Sequence, residues 1–76
     1  MAFYKYPRNL TQLDSDAFDS IRSPGQEVPY SGIYRCVNCG KEIAANQGDP
    51  LPPQNHHQHS ALSGPVRWQL IVWTKY

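Results

Sequence analysis

The sequence predicts a small, mostly-β domain stabilised by a metal ion, and three observations lead there. The chain has 76 residues with seven prolines and five glycines, which interrupt every stretch long enough for a bundle helix. Both cysteines and all three histidines fall between Cys36 and His59. The C-terminal run VRWQLIVWTKY, Val66 to Tyr76, has the β-branched and aromatic content of a strand. At this length an apolar core alone rarely supplies more than about 3–5 kcal/mol, so such a chain needs a further staple.

The elements follow in order. Residues 1–27 read as a packing arm, in which AFYKYPRNLTQL mixes aromatic and polar groups and Pro7 limits any regular element. Within the arm, DSDAFDSIR offers Ser15 or Asp16 as an N-cap, with Ala17, Phe18 and Ile21 on one side. That predicts a short helical turn ending near Ser23 to Gly25. Residues 28–76 read as the β domain. Val28, Tyr30, Ile33 and Tyr34 suggest a strand bent at Gly32 and feeding into Cys36. KEIAANQ offers the return strand, while GDPLPP, with three prolines, denies backbone donors and reads as an irregular connection. In the last strand Trp68, Leu70 and Val72 alternate with Gln69, Ile71 and Trp73. Both faces are apolar, so the strand is expected to be central and covered on both sides. Three or so antiparallel strands result.

Composition narrows the function classes. The formal net charge is +1, from seven Lys and Arg against six Asp and Glu, without the basic stripe that a phosphate backbone attracts. A protein partner is therefore preferred to nucleic acid. No apolar run approaches the roughly 20 residues of a membrane span, and the N-terminus lacks an apolar signal core. A cytoplasmic location is expected, and in a reducing cytosol a C-x-x-C pair reads as metal ligands or a redox dithiol before a structural disulfide.

Tetrahedral zinc takes four N or S ligands, commonly two from one tight turn and two from another. Cys36 and Cys39 have the spacing that lets two sulfurs chelate one ion, and Gly40 after them can take positive φ. Sixteen residues separate Cys39 from His56 in NHHQH, close to the C-x₂-C, loop, H-x-H patterns of zinc sites. His56 and His59 repeat the two-residue spacing and are preferred. His57 is the alternative to His56, since strand alternation places His57 and His59 on one face. Two thiolates and one Zn²⁺ with two neutral imidazoles make a neutral site, which lowers the cost of burying it.

At these residues a resemblance enters. SGIYRCVNCGKEI resembles the first knuckle of a zinc-ribbon or rubredoxin-like domain, in the order strand, C-x-x-C-G, strand. By that resemblance Cys36 and Cys39 match the first ligand pair, and LPPQNHHQH stands where a second C-x-x-C is expected, with histidines in place of cysteines. The match covers roughly residues 28–73. The whole chain is also similar to very short bacterial proteins that carry a single ribbon-like metal site, and that resemblance implies no activity.

Competing chemistries fit less well. A thioredoxin-like dithiol needs a βαβ context with a helix starting at the first cysteine. Rubredoxin-type iron wants four thiolates, and two exist. Catalytic zinc needs an open position and a general base. Glu42 is the nearest carboxylate in sequence, and a Glu three residues past a knuckle is more often a solvated strand residue. The reading is thus a structural Zn²⁺ in a non-enzymatic interaction module, with a nucleic-acid-associated ribbon as the alternative. In that alternative Tyr30, Tyr34, Trp68 and Trp73 would form a stacking platform, although a small β domain is expected to use such rings as core.

Overall fold

The computed structural model describes residues 2–52 and 64–74. Among these, four strands form one antiparallel sheet in the order β1-β4-β2-β3: β1 is Ile21–Arg22, β2 Gly32–Cys36, β3 Glu42–Ala45 and β4 Trp68–Trp73. Helix among the described residues is limited to two 3₁₀ turns, Pro7–Asn9 and Asp16–Phe18. The molecule is therefore a small, mostly-β domain. None of its described helices is long and apolar enough to cross a membrane.

Ser15 is the cap that the sequence offered. Its backbone is extended and its Oγ accepts the Ala17 N–H at 3.2 Å, which satisfies one of the donors a helix start leaves over. The turn stops sooner than the spacing of Phe18 and Ile21 implies. The Phe18 carbonyl, which a longer helix would use internally, accepts from Gln69 Nε2 at 2.7 Å. Ile21 then leaves the helical path and pairs with Gln69 as the outer strand of the sheet.

Strand β2 begins at Gly32 and not at Val28. Val28 is committed elsewhere: its N–H donates to the Asp49 carbonyl at 2.9 Å, and its own carbonyl accepts from Gly48 N–H at 2.8 Å. The neighbouring bonds from Gly25 N–H to Leu51 O and from Leu51 N–H to Gln26 O bind residues 25–28 to 48–51. GDPLPP is irregular as expected, apart from a single bridge between Glu27 and Pro50. β2 and β3 form the hairpin read from the sequence, with Tyr34 opposite Ile43 and Arg35 opposite Glu42.

Strand β4 occupies the interior of the sheet, between β1 and β2. Ile33 faces Val72 and Tyr34 faces Leu70, so Ile71 is the extra residue of a β-bulge. On one side of the sheet Tyr34, Cys36, Trp68 and Leu70 are buried together with Val28, Leu51 and Val66 from the loops. On the other side Ile33, Ile71 and Val72 line shallow grooves whose outer walls are residues of the N-terminal arm, Leu10 among them. Coverage is thus complete beneath the sheet, where the loops pack, and partial above it, where the arm leaves Ile33, Ile71 and Val72 half-buried.

The aromatic rings pack as core. Tyr34 and Trp68 are fully buried, and Trp73 stacks obliquely on Tyr30 at 4.6 Å and meets Phe18 edge-on at 6.2 Å. Tyr34 Oη donates to the Tyr30 carbonyl at 2.7 Å, and burial pushes its phenol above the usual tyrosine range, with Arg22 opposing part of the shift. The folded state thus holds this proton more tightly than the unfolded chain does. The stability from Tyr34 is complete below the unfolded pKa of about 10 and declines as pH rises beyond it. Urea midpoints should therefore fall between pH 9 and pH 11, and Tyr34→Phe, less stable at pH 8, should fall less steeply over that interval. An equal slope in both proteins would refute the linkage.

Candidate metal centre

The C-x-x-C sequence is the turn of the β2–β3 hairpin. Cys36 closes β2, and its N–H donates to the Lys41 carbonyl at 2.7 Å while its carbonyl accepts from Gly40 N–H at 2.8 Å. Residues 36–41 are thereby drawn into one tight turn. Gly40 sits at φ +83°, the left-handed conformation that glycine adopts without steric cost. The expectation for this glycine is met.

The two cysteines occupy different surroundings. Cys36 is fully buried in the core beside Trp68, its partner in the sheet register, whereas Cys39 is exposed. Both are thiols and not a disulfide. Both cysteines belong to one short turn, Cys36 at its buried end and Cys39 at its exposed side. Burial adds a condition, because a thiolate at Cys36 is tolerated in an apolar core only with a cation beside it.

The turn is fastened to the segment that enters β4. Val37 N–H donates to the Arg67 carbonyl at 2.9 Å, and Asn38 Nδ2 donates to the Pro65 carbonyl. Gly64 lies against the same side chain, since a Cβ there would stand 3.4 Å from Asn38 Nδ2. The start of the intervening connection is anchored as well, with Leu51 buried in the same core as Cys36. His56, His57 and His59 lie outside the described residues. His59 precedes Gly64 by five positions, at most about 18 Å of extended chain. Among the described residues, no three His, Cys, Asp or Glu side chains come together as a metal-binding group.

Glu42 is half-buried at the start of β3 and stands opposite Arg35 in the register, the position of a strand residue. Arg67, whose carbonyl accepts the Val37 N–H, donates through Nη1 to the Val66 carbonyl at 2.7 Å. Asn38 and the pair Gly64 and Pro65 were not singled out from the sequence. Their signal was available as an Asn at the centre of a tight turn and a Gly-Pro after the histidines, but a contact across 27 positions has no local signature.

The fold and the turn define a small antiparallel β protein with a cysteine-bearing hairpin. No family model matches the chain, and no solved structure matches it. It is 57% identical over 67 residues to Protein L of Escherichia coli, an alignment that spans 86% of this chain and 76% of that protein. The chain belongs to the Protein L family.

Proposed function

We propose that the protein binds one zinc ion at a structural site made by Cys36, Cys39 and two histidines, His56 and His59, with His57 as the alternative to His56, and that it serves as a non-enzymatic interaction module. The observation that carries this reading is the attachment of residues 64–67 to the Cys36–Cys39 turn, through Val37 and Asn38. It brings the end of the histidine-bearing connection to the cysteines. When bound, the ion supplies positive charge and four directed bonds. The chain supplies the rest. Cys36 anchors the site to the core, Cys39 offers a second thiolate from the rim, and Gly40 allows the turn that sets both on one hairpin.

Four donors close the coordination shell, so the site holds structure and leaves no position for a substrate. The resemblance to a zinc ribbon agrees with this reading, and a reducing cytoplasm would keep both thiols available. For the partner, the preference for a protein over nucleic acid rests on net charge, which treats the chain as uniform. The alternative, a nucleic-acid-associated ribbon, needs a local group of cations, which a net charge of +1 leaves room for.

Native mass spectrometry with elemental analysis, on protein prepared without chelators, is expected to return one zinc per chain. Single replacement of each histidine by alanine should lose the metal at His56 and His59 and keep it at His57. Metal-free protein whose spectrum is unchanged by added zinc would overturn the proposal, and loss at His57 with retention at His56 would exchange those two roles.

A further inference from the structure

The N-terminal arm carries a surface that the metal reading does not use. Phe3 is 92% exposed, Tyr4 62% and Tyr6 41%, a density of uncovered rings that a chain with a small core does not spare without cause. The cations are placed among them: Arg8 Cζ lies 4.2 Å and Lys5 Nζ 5.1 Å from the centroid of the Tyr6 ring. Residues 2–13 contain Lys5 and Arg8 and no carboxylate. Phe3 and Tyr4 also form one wall of a groove of about 510 Å³ whose opposite side, on the sheet, holds Ile33, Ile71 and the exposed Arg35. Rings and cations thus alternate along residues 3–8, next to an apolar slot that Phe3 and Tyr4 line, although the chain as a whole is nearly neutral.

From this arrangement we infer that the arm and the groove beneath it bind single-stranded nucleic acid. Unpaired bases present π-faces that stack on Phe3 and Tyr4, and the backbone phosphates are met by Lys5, Arg8 and Arg35. Charge complementarity selects the occupant, because a carboxylate-free stretch with interleaved rings suits a polyanion that carries flat apolar groups. A duplex hides its base faces and does not fit. A membrane surface is the weaker match, because the helix in the described part of the arm is limited to two three-residue 3₁₀ turns, too short for an amphipathic helix that lies in the interface. The inference goes beyond the zinc reading and is independent of it, since it rests on residues of the arm and on Arg35.

The test uses the full chain as purified, with whatever metal it carries, and fluorescein-labelled dT12 and rU12 read by anisotropy. Binding is expected to one or both, the tighter of them showing whether DNA or RNA is preferred. With three phosphate contacts, affinity should drop roughly 20-fold between 50 and 200 mM salt. The double variant Lys5→Gln, Arg8→Gln should reduce the salt slope to about a third of its value. Phe3→Ala and Tyr4→Ala should each weaken binding about 5-fold or more with the slope unchanged. All four side chains are exposed, so the amide spectrum of each variant should match that of the parent. The inference is overturned if neither oligonucleotide binds at 50 mM salt, or if polyglutamate or duplex DNA binds as tightly. It is equally overturned if anionic vesicles displace the oligonucleotide, or if the arm variants bind like the parent.

Discussion

Gly32→Ala is expected to leave the chain largely unfolded, although it adds a single methyl group. A Cβ at Gly32 would stand 2.0 Å from the Val72 carbonyl oxygen, 3.0 Å from its carbon and 3.1 Å from Leu70 Cδ1. The first of these is a collision with backbone, so rotation of a side chain cannot relieve it. The bulge at Ile71 lies beside this point, in the register of Gly32 with Trp73 and Ile33 with Val72, and here the two strands run too close for any side chain. Separating them would disturb the β2–β4 pair that carries Tyr34, Cys36, Trp68 and Leu70 into the core. A collision with backbone exceeds the roughly 1–3 kcal/mol of side-chain overpacking and belongs with the effects above about 4–5 kcal/mol, comparable with a total of roughly 4–11 kcal/mol for a chain of this size. Gly48→Ala is the control. It meets open space, but its φ of +90° makes it strained by about 1–2 kcal/mol. Urea unfolding should show Gly48→Ala folded with a lowered midpoint and Gly32→Ala without a native baseline. A Gly32→Ala protein as stable as Gly48→Ala would mean that the strands can part at little cost.

The same strands show how far the sequence could be read. Trp68 to Trp73 alternate apolar and mixed positions over a length no other element equals, and that period placed β4 and its central position correctly. β3 was legible as the return of a hairpin, because the turn before it is only as long as C-x-x-C-G. β2 was read four residues too early: Val28 is apolar in the right phase, but its hydrogen bonds go to residues 48 and 49, a partnership with no local pattern. β1 has two residues, too few for any period to register, and it exists because Gln69 takes the Phe18 carbonyl away from the helical turn. The three or so strands expected became four through this short edge. At the site, the turn of Cys36, Cys39 and Gly40 was legible because the spacing of residues sets it. The attachment through Asn38 was not, because it joins positions far apart in the chain. The rings of the core, Tyr34 and Trp68, were weighed as a binding platform, whereas the exposed rings at Phe3, Tyr4 and Tyr6 passed as part of an arm. Sequence separates apolar from polar, but which apolar residue is covered depends on what packs over it.

Cys39→Ser, or an excess of chelator, is expected to unfold the domain at neutral pH. Net stability from a core in so short a chain is ~3–5 kcal/mol at best, whereas structural zinc contributes apparent binding energies of about 10–16 kcal/mol in finger peptides. If the proposed ion is bound, its term is the larger. The structure makes Cys39 the informative position. Its side chain is exposed and outside the core, so exchange of sulfur for oxygen removes almost no packing. Cys36 is fully buried beside Trp68, and Cys36→Ser would combine loss of a ligand with a polar group placed in an apolar core. A large effect at Cys39 is assigned to the metal when elemental analysis shows the ion lost with it. The expected readouts are collapse of amide dispersion and a red shift of tryptophan emission as Trp68 and the half-buried Trp73 meet water. Acid should act in the same direction, because protons compete for thiolate and imidazole and the metal-bound state is lost as pH falls. A buried cysteine with no cation beside it behaves as a small apolar side chain. A metal-free chain that stays folded would rely on the core in which Val28, Tyr34, Cys36, Leu51, Val66 and Leu70 surround Trp68. If Cys39→Ser and the chelated protein both keep their dispersion and blue-shifted emission while elemental analysis shows them free of metal, that core is sufficient by itself. The cysteine turn and the histidines that follow it would then belong to metal binding as an activity, and not to the stability of the fold.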